Sequence, residues 1–149
     1  MGKILFAPII VLSALLSVSA QDRTVINDPG AKRMLVGRHR LALQWVSWDY
    51  FGSAAVTERQ GILYLKGRQK SRKDSDFVNV EGQIISVDKK EFRFVGKIVT
   101  QVSHIFGGKP CTRDGEMTFR ITGKRRYWRL QEMDNPCEGV TDYVDLYFR

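Results

Sequence analysis

Between Gly61 and Thr100 the chain repeats one short pattern: an apolar residue, any residue, an apolar residue, any residue, then glycine. It reads Leu63-Tyr64-Leu65-Lys66-Gly67, then Val78-Asn79-Val80-Glu81-Gly82, then Phe92-Arg93-Phe94-Val95-Gly96, and it recurs as Phe119-Arg120-Ile121-Thr122-Gly123. A period of two is the signature of a half-buried β-strand, with alternate side chains on one face. Each glycine shares the parity of the apolar residues and so points the same way. A glycine inside a strand marks a bend, a bulge or the close approach of another group. Strands that carry one at matching positions suit a sharply coiled sheet, as barrels require.

Loop centring sets the expected register. A turn at Asp88-Lys89-Lys90 pairs Gly82 with Gly96. Connections centred near Asp74–Ser75 and Lys109–Pro110 pair Gly67 with Gly82 and Gly96 with Gly123, giving a row of four glycines. The same register places Glu81 between Arg68 and Lys97 on the other face, a favourable cross-strand arrangement.

Alternating segments elsewhere bring the number of expected strands to eight, near 38–48, 53–58, 61–70, 77–87, 91–102, 116–122, 126–132 and 142–148. No long amphipathic helix interrupts them. The expected fold is all-β: an antiparallel up-and-down meander of about eight strands, closed or nearly closed into a small barrel, with a β-sandwich as the alternative. Residues 38–149 form this domain. Residues 21–37 form an N-terminal arm, in which Asp28-Pro29 reads as a helix N-cap followed by proline at the first helical position; a short helix over Pro29–Val36 and a disordered arm are the two readings.

The first residues speak to compartment. Met1-Gly2-Lys3 is a basic start, Ile4 to Leu16 an apolar run, and Ser17-Val18-Ser19-Ala20 a small-residue cleavage site, which together read as a secretory signal peptide over residues 1–20. The run is short for a membrane-spanning helix, which needs about 20 residues. Export licenses a disulfide between the chain's two cysteines, Cys111 and Cys137. Both lie in loop-like sequence at the end of the barrel opposite the Gly123-Lys124-Arg125 turn. The expected localisation is secreted or periplasmic.

The formal net charge is +8. Lys66, Arg68, Lys70, Arg93, Lys97 and Arg120 share the outward parity or its flanking loop and are candidate anion-binding residues; Arg125, Arg126 and Arg129 add a second cluster. A basic face favours an anionic macromolecule or surface. Trp45, Trp48 and Trp128 are candidates for lining a pocket for a small apolar ligand above the glycines, with core packing as the commoner fate of such rings. His39 and His104 sit in no His-Glu-x-x-His or nucleophile motif. Glu132, Asp134, Glu138 and Asp142 lack the spacing of a calcium loop. No metal, cofactor or catalytic residue is assigned.

The segments Gln44-Trp45, Tyr127-Trp128-Arg129-Leu130-Gln131, Asn135-Pro136-Cys137 and Tyr143-Val144-Asp145 resemble small uncharacterised exported bacterial β-proteins. In layout the chain also resembles lipocalins and related calycins, without their Gly-x-Trp signature, since Trp45 stands eight positions after Gly37. The leading expectation is a soluble exported β-barrel that binds a small apolar ligand or an anionic partner. The alternatives are an eight-stranded outer-membrane barrel, in which the apolar face meets lipid, and a hydrolase of an anionic polymer that depends on His104 or the acidic cluster.

Overall fold

A computed structural model describes Gly2 and residues 22–149. The expected signal peptide lies outside the described residues except for Gly2. The elements in order are β1 (Val25–Ile26), α1 (Pro29–Leu35), β2 (Gly37–Leu43), β3 (Gly52–Arg59), β4 (Ile62–Lys70), β5 (Phe77–Val87), β6 (Glu91–Gln101), β7 (Cys111–Arg120), β8 (Tyr127–Leu130) and β9 (Val144–Tyr147). Strands β2 to β9 pair antiparallel, each with its sequence neighbours, and β2 pairs with β9 to close the barrel. The short β1 runs parallel to the end of β5.

The glycine register is partly as expected. Gly82 and Gly96 are partners. An ideal Cβ on Gly82 would lie 2.6 Å from the Gly96 Cα and 2.8 Å from the Phe94 ring, so the ring of Phe94 covers the two bare backbones directly. On β4 the register is two residues away from expectation: Gly67 faces Val80, and Gly82 faces Leu65. The connection 71–76 is not symmetric about Asp74–Ser75 because Ser71 N–H bonds the Asp76 carbonyl and fixes Lys70 against Phe77. On β7 the partner of Gly96 is Gly115, and Gly123 lies in the β7–β8 turn with φ +59°. Glu81 accordingly stands between Lys66 and Lys97, not between Arg68 and Lys97.

Strand β7 begins at Cys111, five residues before the expected start at Glu116. Its polar opening Thr112-Arg113-Asp114 reads as loop, yet Arg113 occupies an inward position and is buried. Its charge is met there by Asp142, described below. One further irregularity lies in β5, where the pairing with β6 shifts by one residue between Ile84 and Ser86. Beyond this bulge β5 is free to accept β1.

Apolar residues turn inward. Leu41, Leu63, Leu65, Ile84, Phe92, Phe94, Ile98, Phe119 and Leu146 are fully buried and fill the barrel from end to end. Phe92 stacks on Phe119 at 5.0 Å, and Phe94 meets Phe119 edge-on at 6.1 Å. The outward positions of β4 to β7 carry charges. This orientation is the reverse of that required of an outer-membrane barrel, which presents its apolar band to lipid. No helix among the described residues is long and apolar enough to cross a membrane.

One end of the barrel is capped by α1. The Asp28 side chain accepts the Ala31 N–H at 2.7 Å, Pro29 takes the first position where no N–H is needed, and Ala31 and Leu35 enter the core. The chain reaches that position through Thr24, whose hydroxyl donates to the Ile84 carbonyl and accepts from Leu63 N–H where β4 and β5 part. The His39 ring sits between the carbonyls of Leu35 and Tyr147, tying the helix end to β9.

The opposite end is closed by loops. Cys111 and Cys137 form a disulfide with a Cα–Cα distance of 6.1 Å. Buried Gln69 accepts from Leu43 N–H and donates to the Ser47 and Tyr50 carbonyls, holding the β2–β3 connection over the opening. Asp76 accepts from both the N–H and the hydroxyl of Ser103.

Candidate anion-binding surface

Four of the six candidate cations along the wall of the barrel are matched. Lys66 lies 3.7 Å from Glu81, Lys97 lies 3.7 Å from Asp114, Arg120 donates to Glu91 at 2.7 Å, and Arg93 grips Glu116 through Nε and Nη2. Across β4, β5, β6 and β7 the row Lys66, Glu81, Lys97, Asp114 alternates in sign. Each exposed pair is worth only about 0–1 kcal/mol, but each sets an acid beside a wall cation. Of the six wall candidates, Arg68 and Lys70 have no carboxylate partner among the described residues, and the Arg68 guanidinium lies 5.5 Å from the Phe77 ring centre.

The helix-capped end is different. The β5–β6 and β7–β8 turns meet there through a 2.7 Å bond from Ile121 N–H to the Lys90 carbonyl, which sets Lys89 and Lys90 beside Lys124 and Arg125. Phe148 N–H bonds the Arg126 carbonyl, and Arg149 Nη2 donates to the Arg33 carbonyl at 2.8 Å. These contacts join four exposed basic segments into one rim from Lys89 to Arg33. None of these side chains has a carboxylate partner among the described residues. The acids nearby are occupied: Asp28 caps α1, Glu58 binds Lys32 at 2.9 Å, Asp88 accepts from Asn27, and Glu91 binds Arg120. Within the rim, Met34 is 41% exposed, and with Phe148, Arg126 and Arg149 it borders a hollow of about 370 Å³.

At the disulfide end a buried ion pair is part of the closure. Arg113 Nη2 donates to Asp142 at 2.8 Å, with side-chain exposures of 6% and 1%. The guanidinium also donates to the carbonyls of Glu132, Met133 and Asp134. Asp142 further accepts from Asn135 and from Trp45 Nε1 at 2.9 Å. Glu138 accepts from Phe106 N–H and Glu132 from Thr118 N–H. The acidic loop is therefore built into the closure of the barrel, and among the described residues no group of three or more His, Cys, Asp and Glu is arranged to hold a metal ion.

The three tryptophans are not brought together. Trp128 is 2% exposed and packs against Phe148, His39 and Phe92 near the helix-capped end. Trp45 lies at the disulfide end, edge-on to His104 at 5.5 Å, and Trp48 is 44% exposed on the β2–β3 connection.

Sequence reasoning missed the pairing of Arg129 with Asp145. Both face outward on β8 and β9, where they are Cα partners, and the guanidinium meets the carboxylate through two 2.7 Å bonds. The Arg129 guanidinium lies 4.1 Å from the Tyr143 ring centre, and the carboxylate is wholly buried. Burial pushes the Asp145 carboxyl above the ordinary Asp value against the pull of Arg129, while the hydrogen bonds to Asp145 raise the guanidinium's own value. Burial and the neighbouring Asp145 also raise the Tyr147 hydroxyl. Outward parity at Tyr127-Trp128-Arg129 and Tyr143-Val144-Asp145 was legible; the β8–β9 register that joins them was not.

Comparison with known proteins gives the chain a family. The model of the PM1083 family matches residues 23–148. The chain belongs to the PM1083 family. It is 43% identical over 148 residues to "Uncharacterized protein PM1083" of Pasteurella multocida (strain Pm70), a match that covers 98% of this chain and 95% of that protein. The PM1083 family match spans every segment that carried the resemblance to small bacterial proteins. No solved structure matches the chain, so the likeness to lipocalins and calycins is one of layout alone.

Proposed function

We propose that this barrel is an exported binding module that holds an anionic partner, one displaying repeated phosphate or sulfate groups, against its helix-capped end. One observation carries the reading: four of the six wall candidates are matched by acids, whereas Lys89, Lys90, Lys124, Arg125, Arg126 and Arg149 form a rim without carboxylate partners among the described residues. Unmatched cations gathered on one end focus positive potential there and draw anions to it. The solid interior supports an outer rather than an inner binding surface. The disulfide and the apolar leader support an oxidising compartment.

Retention on immobilised heparin, used as a polyanion probe, tests the reading. The triple variant Lys124→Glu, Arg125→Glu, Arg126→Glu should elute at much lower salt than the natural chain. The wall variant Lys66→Glu, Lys97→Glu should elute nearer to it. The reverse ranking would contradict the proposal.

A further inference from the structure

Two polar atoms on the outer wall are buried without a partner. Asn79 Oδ1 and Gln83 Nε2 both belong to β5, both alternate outward with Glu81 between them, and neither makes a hydrogen bond. Buried amides in native proteins are nearly always satisfied, so two orphans about 13 Å apart on one strand face call for an explanation.

They lie along a groove. On β3 the outward residues Ser53, Ala55 and Thr57 are small, and the wall is hollow over them. One cavity of about 710 Å³ is bordered by Thr57, Tyr64, Gln83 and Val95; a second of about 380 Å³ is bordered by Ser53, Arg68 and Asn79. They meet at Lys66 and Glu81, which border both. The exposed Lys66–Glu81 pair, 3.7 Å apart, is loose enough to rearrange. Arg59, 4.3 Å from the Tyr64 ring centre, stands at one end, and Arg68 stands at the other.

The chemistry of these groups narrows the occupant. The Gln83 amide N–H needs an acceptor and the Asn79 carbonyl needs a donor. A simple anion only accepts, so it would leave Asn79 unmet. An apolar molecule would leave both unmet. Hydroxyl groups both donate and accept. Glu81 accepts a hydroxyl proton as well, and Ala55 and Val95 offer apolar contact to ring carbons. Arg59 and Arg68, which have no carboxylate partner among the described residues, add two cations beside the Lys66–Glu81 pair. We infer that the groove across β3, β4 and β5 binds an oligosaccharide that carries carboxylate groups.

This site is separate from the basic rim and does not depend on it. Calorimetric titration with trigalacturonate as the acidic probe and maltotriose as the neutral one tests the assignment. Trigalacturonate should bind the natural chain at least about tenfold more tightly than maltotriose, a difference of about 1.4 kcal/mol. The double variant Asn79→Leu, Gln83→Leu should weaken trigalacturonate about tenfold or more without lowering stability in urea, because it removes orphaned polar atoms rather than partnered ones. Arg59→Ala with Arg68→Ala should reduce the preference for the acidic probe while the fold persists. The Lys124/Arg125/Arg126 triple variant should bind trigalacturonate as the natural chain does. Failure of trigalacturonate to bind, equal binding of the two probes, unchanged binding by the Leu double variant or by the Arg59/Arg68 variant, or loss in the rim variant would each overturn the proposal.

Discussion

The two ends of the barrel are closed by different physics. At one end α1 inserts Ala31 and Leu35 into the core, so apolar packing does the closing and the charged side chains are left to face solvent. At the other, a disulfide and a buried polar network around Arg113 and Asp142 hold the loops down, and the charges are consumed in that work. Charge is available for recognition only where closure does not use it. At the disulfide end Asp142, Glu132 and Glu138 are engaged in holding the loops, while at the helix-capped end the cations of the rim are left over.

The contrast can be broken first at the polar closure. Asp142→Ala leaves Arg113 charged and buried and strips partners from Asn135 and Trp45; the expected loss is about 3–5 kcal/mol in urea unfolding. A loss below about 1 kcal/mol would mean that the network is solvated and not a closure. At the apolar end, Leu35→Ala should cost about 2–5 kcal/mol through cavity formation and should loosen the helix in hydrogen exchange. Replacing both cysteines by serine should cost about 2–4 kcal/mol, with protection lost first in the loops near Cys137. Asp28→Ala removes the helix cap alone and should cost about 0.5–2 kcal/mol.

The smallest effect concerns pH. Because the Asp145 carboxyl titrates above its ordinary value of about 3.9, the native state still holds this proton where the unfolded chain has released it. Through the window between the two values, Asp145's contribution to stability therefore falls as pH rises. Asp145→Asn should flatten that part of the stability–pH curve; an unchanged slope would show that Arg129 keeps the carboxylate fully ionised.

The sequence pattern was sufficient for the β class, the meander, the barrel and the paired cysteines, because period-two alternation and turn residues are local signals. Register was harder. Gly82 faces Gly96 because the one-residue bulge between Ile84 and Ser86 offsets a turn in which Val87 faces Phe92, and the longer connections 71–76 and 102–110, set by their own hydrogen bonds, moved Gly67 and Gly123 out of the expected row. The start of β7 was hidden for a related reason. Arg113 breaks the apolar alternation, and its partner Asp142 lies 29 residues on in sequence, so nothing local announces that the charge is neutralised inside. The same dependence on distant partners hid the wall's ion pairs. Cations sharing one parity look like a basic face until β5, β6 and β7 set Glu81, Asp114 and Glu116 among them. The basic rim is a product of four segments meeting, visible only in three dimensions.

Amide chemical-shift mapping with a short inorganic polyphosphate, which carries no carboxylate or sugar hydroxyl for the β3–β5 groove, addresses this division of charge most directly. The account predicts that the largest shifts cluster at residues 89–90, 122–126, 149 and 33–34, with little change at Lys66, Lys97 or the loop around Cys137. Shifts centred on the β4–β7 wall, or spread evenly over both ends, would contradict it.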